Sequence, residues 1–290
     1  ANEAPPAIVS IFLGDELTSV LKSIEEGTDF LKQKQILMEI GAKVLPHFAK
    51  DTTDRNRTSP FAFTGNKFEF RMPGSALSVA EPNVILNTAV AESLSRIYEV
   101  LKDVLETQME EQIQELLKSM ITKHKRILFN GNGYTDEWVE EAKKRGLFNL
   151  KSLPDALPQF IAEKNIDLFT KHRIFTKEEI YSRYEIILEN YSKTIHIESL
   201  TMQDMVKKDF TPSLFSYVSD VTKEALDKRK LLPSLSATYE EKIVQTLTES
   251  SEQIVLALAA LTEDTKKAEE MEEPLEAARY YHDTILKDMN

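Results

Sequence analysis

Glycine is confined to the first half of this 290-residue chain, and that distribution constrains the fold more than any other feature. All eight glycines lie at or before Gly146, and residues 147–290 contain none. A β-rich domain of that length would need turns with positive φ angles, which glycine usually supplies. The glycine-free half is therefore predicted to be helical, and the whole chain to be an α+β protein that is predominantly helical.

The spacing of apolar residues supports this prediction. Across Leu94–Ile121 they recur at the period of one helical face, while Glu, Lys and Gln fill the other face. This pattern predicts one long amphipathic helix, which the sequence Asn130-Gly131-Asn132-Gly133 should end. Thr135 or Asp136 is then predicted to cap a short helix that carries Trp138.

Further helices are predicted from capping sequences and prolines. Thr176 with Glu179, and Thr238 with Glu241, have capping-box spacing and precede helical runs. Four prolines are predicted to mark the joints of a helical bundle: Pro154, Pro158, Pro212 and Pro233. The acid-rich stretch 262–290 is predicted to be a solvated helix or a peripheral arm.

Composition excludes several classes of function. The formal net charge of −12 argues against nonspecific binding to nucleic acid or to an anionic membrane. The chain has no cysteine, which excludes disulfides, zinc–thiolate sites and thiol nucleophiles and agrees with a cytoplasmic location. The apolar run Ala7–Leu13 is too short to span a membrane. Because the chain begins Ala-Asn-Glu-Ala-Pro-Pro, we expect it to be part of a longer subunit.

The segment Lys67-Phe68-Glu69-Phe70-Arg71 carries the chain's most suggestive chemistry. Its charged and aromatic residues alternate, so a β-strand would place Lys67, Glu69 and Arg71 on one face and bury Phe68 and Phe70 on the other. A carboxylate between two cations suits a site where Glu69 binds a hard metal ion and the cations hold phosphate or carboxylate oxygens. The alternative is a surface ladder of ion pairs that adds little stability.

No other common catalytic pattern is present. The sequence lacks the P-loop, HExxH, GxSxG, EF-hand and GxGxxG motifs. Its five histidines are scattered without the spacing of helical metal ligands, so none is assigned a role.

Several motifs together resemble type III glutamine synthetase, in the order in which that family carries them. They are Asn2–Ile8, Asn56–Phe63, Gly65–Arg71, Pro82–Thr88 and Lys125–Tyr134. The resemblance runs through about residue 150, and the helical remainder suits the long C-terminal region of that type. It implies that residues 1–90 are the C-terminal part of the catalytic domain, with few strands, and that residues 91–290 are a helical bundle extension.

This resemblance implies the reaction and its site residues. The expected reaction is ATP-dependent joining of ammonia to L-glutamate through γ-glutamyl phosphate, with Mg²⁺ or Mn²⁺. Glu3 would close over the glutamate site and help to take a proton from ammonium, and Arg57 would contact the transferring phosphate. Glu69 would be a metal ligand, Arg71 would hold the glutamate side chain and its phosphorylated form, and Lys67 would face nucleotide phosphate.

The sequence also departs from the family pattern. Related types carry a second arginine shortly after the Asn-Arg motif, where this chain has Pro60-Phe61-Ala62-Phe63. Other metal carboxylates and the nucleotide pocket of the family would precede Ala1. The isolated chain is therefore predicted to be inactive.

The family implies a ring-based homo-oligomer, a dodecamer, with active sites between neighbouring subunits. The long amphipathic helix and the helices after it are candidates for subunit contacts. Two other functions are compatible with the sequence: a γ-glutamyl-amine ligase of the same fold, and a non-catalytic helical scaffold that retains a remnant of the enzyme. Retention of the complete Lys67, Glu69 and Arg71 set favours the ligase over the remnant.

Overall fold

The computed structural model describes residues 8–28, 37–38, 48–49, 60–63, 67–72, 74 and 77–290. These residues are predominantly helical with few strands, which confirms the predicted fold class. They form two compact units. The sheet unit comprises the described residues of Asn2–Ser152 together with Glu163–Thr176, and the helical unit comprises Leu153–Ala162 and Lys177–Asn290. The assignment of residues 1–90 to a catalytic domain and of residues 91–290 to a helical extension stays a prediction.

Among the described residues, the sheet unit contains five short strands and the first helices. Its strands are β1 (Ile11–Phe12), β2 (Leu37–Met38), β3 (Phe48–Ala49), β4 (Phe61–Phe63) and β5 (Phe68–Phe70). Its helices are α1 (Gly14–Glu26), α2 (Ala80–Leu101), α3 (Met109–His124), α4 (Asp136–Lys144) and α6 (Glu163–Lys171). Strand β4 is central in a three-stranded sheet, parallel to β1 and antiparallel to β5, and β2 pairs with β3 separately.

The predicted helix Leu94–Ile121 is wrong, because two helices cover this region. Helix α2 ends at Leu101, and a 3₁₀ turn at Glu106–Gln108 precedes α3. Between them Leu105 has extended backbone angles, φ −65° and ψ 143°. The two halves of the apolar stripe pack against different elements, since α2 contacts α6 and α3 contacts α1. Periodicity shows that a residue faces inward but not which neighbour it meets, so the pattern did not reveal the break.

The core of the sheet unit forms around the only tryptophan of the chain. Trp138 and Ala142 of α4 are buried with Ile8, and Phe129 packs against them. Helix α4 begins one residue after Thr135, as predicted, but the Thr135 hydroxyl donates to the carbonyl of Asn132 and makes no capping hydrogen bond to the helix. Gly146 follows the helix with φ +67°. This left-handed angle is one that glycine adopts readily, so the glycine allows the chain to turn away after the helix.

The helical unit contains the remaining helices. They are α5 (Leu153–Ala156), α7 (Lys177–Met205), α8 (Thr211–Leu231), α9 (Thr238–Glu269), α10 (Pro274–Tyr280) and α11 (Leu286–Asp288). Residues 177–231 form one continuous helical run, in which a π-helical turn at Val206–Phe210 joins α7 to α8. Helix α8 packs against α9, which follows it after a short connection.

Pro212 was predicted to mark a joint between elements, and it is the second residue of α8, where a π-helical turn joins α8 to α7 without a break in the helix. Proline has no N–H to donate and its ring clashes with the carbonyl four residues earlier, which normally interrupts an α-helix. Here the helix widens instead: the N–H of Thr211 donates to the carbonyl of Val206, five residues back. A π-turn accommodates such a disturbance without ending the helix.

The prediction that residues 262–290 form a solvated helix or a peripheral arm is also wrong. Tyr281 and Ile285 of this stretch are buried, together with Ala278 of α10. They join a core with residues of α7 and α9: Tyr184, Leu188, Tyr191, Ile195, Leu261 and Ala268. Most acidic residues of this stretch are exposed, with Asp264 and Asp288 partly buried, so composition alone concealed the apolar face.

A polar cluster crosses this core between α7 and α9. The hydroxyls of Ser199 and Thr265 lie 2.8 Å apart, and the Gln203 amide donates to both at 3.2 Å. Thr262 completes the cluster by donating to Oε1 of Gln203 at 2.8 Å. Buried polar groups that satisfy one another fix the register of the two helices. Of the helices described, none is both long enough and apolar enough to cross a membrane.

Candidate functional site on strand β5

Strand β5 forms where the alternation of residues 67–71 predicted a strand. In its pairing with β4, Glu69 lies opposite Ala62, while Phe68 and Phe70 lie opposite Phe63 and Phe61. The four phenylalanines therefore share one face of the sheet and Glu69 lies on the other. Arg71 extends the pairing beyond the strand by donating its backbone N–H to the carbonyl of Pro60 at 2.8 Å.

The predicted burial of the two aromatic residues in β5 is wrong. Phe68 is 50% exposed and Phe70 is 36% exposed. The rings pack laterally against those of the neighbouring strand: Phe68 stacks on Phe61 at 5.4 Å and lies at an angle to Phe63 at 5.2 Å. A strand only three residues long, paired on one side, shields its side chains from water less than a broad sheet would.

On the opposite face, Glu69 interacts with both cations of its own segment. The Nε and Nη2 atoms of Arg71 donate to Oε2 of Glu69 at 3.3 and 3.2 Å. The Nζ of Lys67 lies 3.5 Å from the other oxygen, Oε1. Only 15% of the Arg71 side chain is exposed, against 66% for Lys67. Arg71 is thus held in place, while Lys67 extends into solvent.

These contacts keep the carboxylate charged. The hydrogen bonds from Arg71, followed by that from Lys67, lower the pKa of Glu69 below its usual value, although partial desolvation opposes them. Glu69 therefore presents anionic oxygens at neutral pH, the type of donor that Mg²⁺ and Mn²⁺ prefer. Among the described residues no group of three or more potential metal ligands occurs, so Glu69 fits a metal site as a single donor.

Two of the predicted site residues, Glu3 and Arg57, lie outside the described residues. The structure therefore brings together Lys67, Glu69 and Arg71 and says nothing of the other two.

An anchoring contact that sequence analysis missed is made by Asn130. Its Oδ1 accepts hydrogen bonds from the backbone N–H groups of Leu13 and Gly14 at 3.2 and 3.1 Å. Its Nδ2 donates to Oγ1 of Thr18 at 2.9 Å. No side chain of the neighbouring sequence caps α1, so an asparagine more than a hundred residues away satisfies its first N–H groups. The Asn-Gly-Asn-Gly sequence signalled a turn but not this partner.

Trp138 and Phe129 hold the segment that precedes α1. The indole Nε1–H of Trp138 donates to the carbonyl of Ile8 at 3.3 Å, and the N–H of Phe129 donates to the carbonyl of Ile11 at 3.1 Å. The two rings stack at 4.5 Å. A Cβ on Gly131 would lie 2.6 Å from the Phe129 ring, so glycine is required for this close approach. These contacts fix residues 8–14, directly after the predicted Glu3 loop.

A second charged cluster lies away from β5, where α2 meets the end of α6. Glu92 accepts from Arg96 at 2.8 Å through Oε1, and its Oε2 lies 2.7 Å from Lys171 and 2.8 Å from Nε2 of His172. Hydrogen bonds from Lys171, then from His172 and Arg96, lower the pKa of Glu92 to about 2. Sequence analysis assigned His172 no role, and a separation of 80 positions left no signal for the pair. The cluster links α2 to the end of α6 through both oxygens of Glu92.

Comparison with known proteins shows which family the chain resembles. Residues 112–230, from within α3 almost to the end of α8, match the model of the glutamine synthetase C-terminal domain. Over its full length the chain is 52% identical to a glutamine synthetase from Butyrivibrio fibrisolvens. Over 76% of its length it is 45% identical to the type-3 glutamine synthetase of Dictyostelium discoideum, and over 98% it is 32% identical to a glutamine synthetase from Bacteroides fragilis.

The chain spans less than half the length of these curated relatives: 41%, 30% and 40% respectively. The fold, with its few strands and long helical region, agrees with a glutamine synthetase C-terminal domain followed by a helical extension. The chain belongs to the glutamine synthetase family. Its resemblance to type III agrees with the match to the Dictyostelium protein, whose name carries that type.

Proposed function

We propose that this chain supplies part of the active site of a type III glutamine synthetase, which forms L-glutamine from L-glutamate and ammonia with hydrolysis of ATP. The observation that carries the proposal is the Glu69 carboxylate, held between Arg71 and Lys67 on one face of β5. The family membership supports a glutamine-forming ligase in general. The residue roles below are our assignments.

In the proposed reaction the γ-phosphoryl group of ATP passes to the side-chain carboxylate of glutamate, which gives γ-glutamyl phosphate and ADP. Ammonia then attacks the acyl carbon, and inorganic phosphate leaves. Phosphoryl transfer depends mainly on positioning and on neutralising charge, which arginine side chains and a divalent cation provide. Glu69 would hold that cation, Mg²⁺ or Mn²⁺, which would neutralise phosphate oxygens when bound.

Arg71 is assigned to the glutamate side chain and the acyl phosphate formed on it. Its guanidinium is nearly enclosed and is oriented by Glu69, so it is positioned before the substrate binds. Lys67 is assigned to nucleotide phosphate, since a mobile ammonium group can follow a phosphate as a point charge. Arg57 is assigned to the transferring phosphate, and Glu3 to closing the site and taking the proton from ammonium.

We further propose that the site is completed by residues outside this chain, in a cytoplasmic ring-based homo-oligomer. The matched relatives are more than twice as long as this chain, which supports the view that one chain of this length holds only part of the site. A single carboxylate does not complete a divalent-cation site, and among the described residues no group of three or more potential metal ligands occurs.

The test is phosphate release from ATP by the full-length subunit with glutamate, ammonium and Mg²⁺. We expect ammonium-dependent turnover, with loss of at least 100-fold in Glu69→Gln, on the scale of removing one electrostatic contact from a transition state. Glu81→Gln is the matched control, because Glu81 is an exposed carboxylate in the first turn of α2.

Three other results would change the conclusion. Turnover with polyamines but not with ammonium would indicate a γ-glutamyl-amine ligase. Equal turnover in Glu69→Gln and Glu81→Gln would remove Glu69 from the site. A folded full-length oligomer with no turnover would exclude the ligase and favour the non-catalytic helical scaffold.

A further inference from the structure

Helix α9 contains a stretch of the chain that is apolar on all sides. Residues 254–261 read Ile-Val-Leu-Ala-Leu-Ala-Ala-Leu, slightly more than two helical turns without a polar side chain. A helix that is apolar all round is normally covered all round. Leu261 is buried against α7, yet Val255 is 49% exposed and Leu256 is 71% exposed. Exposed apolar surface of this kind marks an interaction site.

The exposed side of α9 is bordered by a continuous furrow. One part of it, of about 500 Å³, lies between Phe215 of α8 and residues 248–256 of α9. The other part, of about 470 Å³, extends from Val255 to Lys266 and includes Lys207 of the π-turn. Val255 lines both parts, so they form one surface, the α9 furrow. Phe215 adds to its apolar character, since 53% of this residue is exposed.

The charges of the furrow are arranged symmetrically about its centre. Glu252 precedes Ala259 by seven residues and Lys266 follows it by seven, so all three lie on nearly the same side of α9. Lys207 and Glu263 line the same end of the furrow as Lys266. Within the described part of the chain, neither Glu252 nor Lys266 forms an ion pair, whereas the adjacent Glu263 pairs with Lys267 at 3.0 Å.

We propose that the α9 furrow binds α9 of a second copy of this chain, in antiparallel orientation, about a twofold axis at Ala259. Such an arrangement places Glu252 of each copy opposite Lys266 of the other, because the two residues are equidistant from the axis. A twofold interface pairs the same surface patch on both copies and must therefore be self-complementary, as this charge pattern is. Alanine at the axis allows the helices to approach closely, while Val255 and Leu256 fill the furrow on either side.

A cysteine cross-link tests the position of the axis directly. The chain has no cysteine of its own, so Ala259→Cys introduces a single thiol. Two such thiols at a twofold axis between closely packed helices come within disulfide range. We expect most of this variant to run as a covalent dimer on a non-reducing gel after mild oxidation. Leu231→Cys is the matched control, since Leu231 is 82% exposed at the far end of α8 and should stay monomeric on the gel.

Charge exchange tests the orientation. Sedimentation of the chain over a range of concentrations gives the dissociation constant of the dimer. Leu256→Glu should raise it roughly 30-fold or more, the effect of removing a buried anchor. Lys266→Glu should also weaken the dimer, because two pairs become repulsive. Glu252→Lys combined with Lys266→Glu should restore the dissociation constant to within a few-fold of the original.

Far-UV circular dichroism confirms that each variant is folded. A chain that is monomeric at all concentrations, or a dimer unaffected by Leu256→Glu, would overturn the proposal. So would equal cross-linking of the Ala259→Cys and Leu231→Cys variants, or failure of the double charge exchange to restore association. None of these measurements depends on catalytic activity, so the proposal stands or falls separately from the proposed function.

Discussion

The Oδ1 atom of Asn130 accepts a hydrogen bond from the backbone N–H of Gly14 at 3.1 Å, across 116 positions of the sequence. The same atom accepts from Leu13, so one side chain satisfies two N–H groups at the start of α1. This contact links the Asn-Gly-Asn-Gly turn to the segment that leads from the predicted Glu3 loop into the sheet unit. A residue of the turn thereby holds the start of α1, which follows the predicted Glu3 loop in the chain.

Asn130→Ala should therefore destabilise the sheet unit. Loss of a capping side chain typically costs about 1 kcal/mol of unfolding free energy. Urea unfolding followed by Trp138 fluorescence measures this cost, because the only tryptophan of the chain is buried in the sheet unit. Asn132→Ala is the control, since Asn132 caps only a local turn through the N–H of Tyr134. Equal costs for the two variants would contradict a special role for Asn130.

Gly131→Ala should destabilise the same unit for a different reason. A Cβ at this position meets the Phe129 ring at 2.6 Å, and that ring cannot easily withdraw because it stacks on Trp138. Overpacking of this kind costs about 1–3 kcal/mol of unfolding free energy. In the double variant with Phe129→Leu the clash is relieved, so the two costs should be less than additive in the same fluorescence experiment. Strict additivity would show that the ring does not cause the effect.

The sequence predicted those features of the site whose residues lie close together in the chain. Lys67, Glu69 and Arg71 are two residues apart, so the period of a strand was enough to place them on one face. Asn130 with Gly14 and Glu92 with His172 depend on the tertiary fold, and one sequence carries no sign of either pair. The burial of Phe68 was predicted wrongly because alternation identifies a face but not whether that face is covered. The burial of Ile285 was not predicted because the acidic composition of residues 262–290 indicated a solvated helix, whereas the helical spacing of its apolar residues indicates a buried face.

Glu92 should make the stability of the sheet unit depend on pH. Its pKa is lowered to about 2 in the folded chain, from an ordinary value of 4.5. A carboxyl group with a lowered pKa contributes stability above its unfolded pKa and loses it as the pH falls through the folded value. The unfolding free energy of the chain should therefore fall between pH 4.5 and 2, and this fall should be smaller in Glu92→Gln.

Glu99→Gln is the matched control for this measurement. Glu99 is on the same helix and pairs with Lys102, but 63% of its side chain is exposed. Its replacement should leave the pH dependence unchanged, because exposed pairs contribute little. Urea unfolding followed by Trp138 fluorescence measures the unfolding free energy of both variants at each pH. If this free energy depended on pH equally in Glu92→Gln and Glu99→Gln, the Glu92 cluster would not contribute to the pH dependence.

Ile285→Ala should show that the C-terminal stretch belongs to the core of the helical unit. Ile285 is fully buried in the cluster that joins α7 and α9. Truncation of a buried isoleucine to alanine costs about 2–5 kcal/mol of unfolding free energy. Leu231→Ala, at a site 82% exposed, should change it by less than about 0.5 kcal/mol. Thermal unfolding followed by far-UV circular dichroism compares them, and a stable Ile285→Ala variant would return this stretch to a peripheral arm.

Arg71 should control the titration of Glu69 more strongly than Lys67 does. The hydrogen bonds from Arg71 are the largest cause of the lowered pKa of Glu69, and the contact with Lys67 is a smaller one. The pKa of Glu69 should therefore rise towards its ordinary value in Arg71→Gln, and rise less in Lys67→Gln. Carbon-13 NMR of glutamate-labelled chain measures it, with the Glu69 signal identified by its disappearance in Glu69→Gln. A larger rise in Lys67→Gln would mean that the solvent-exposed lysine, rather than the enclosed arginine, holds the carboxylate in its charged form.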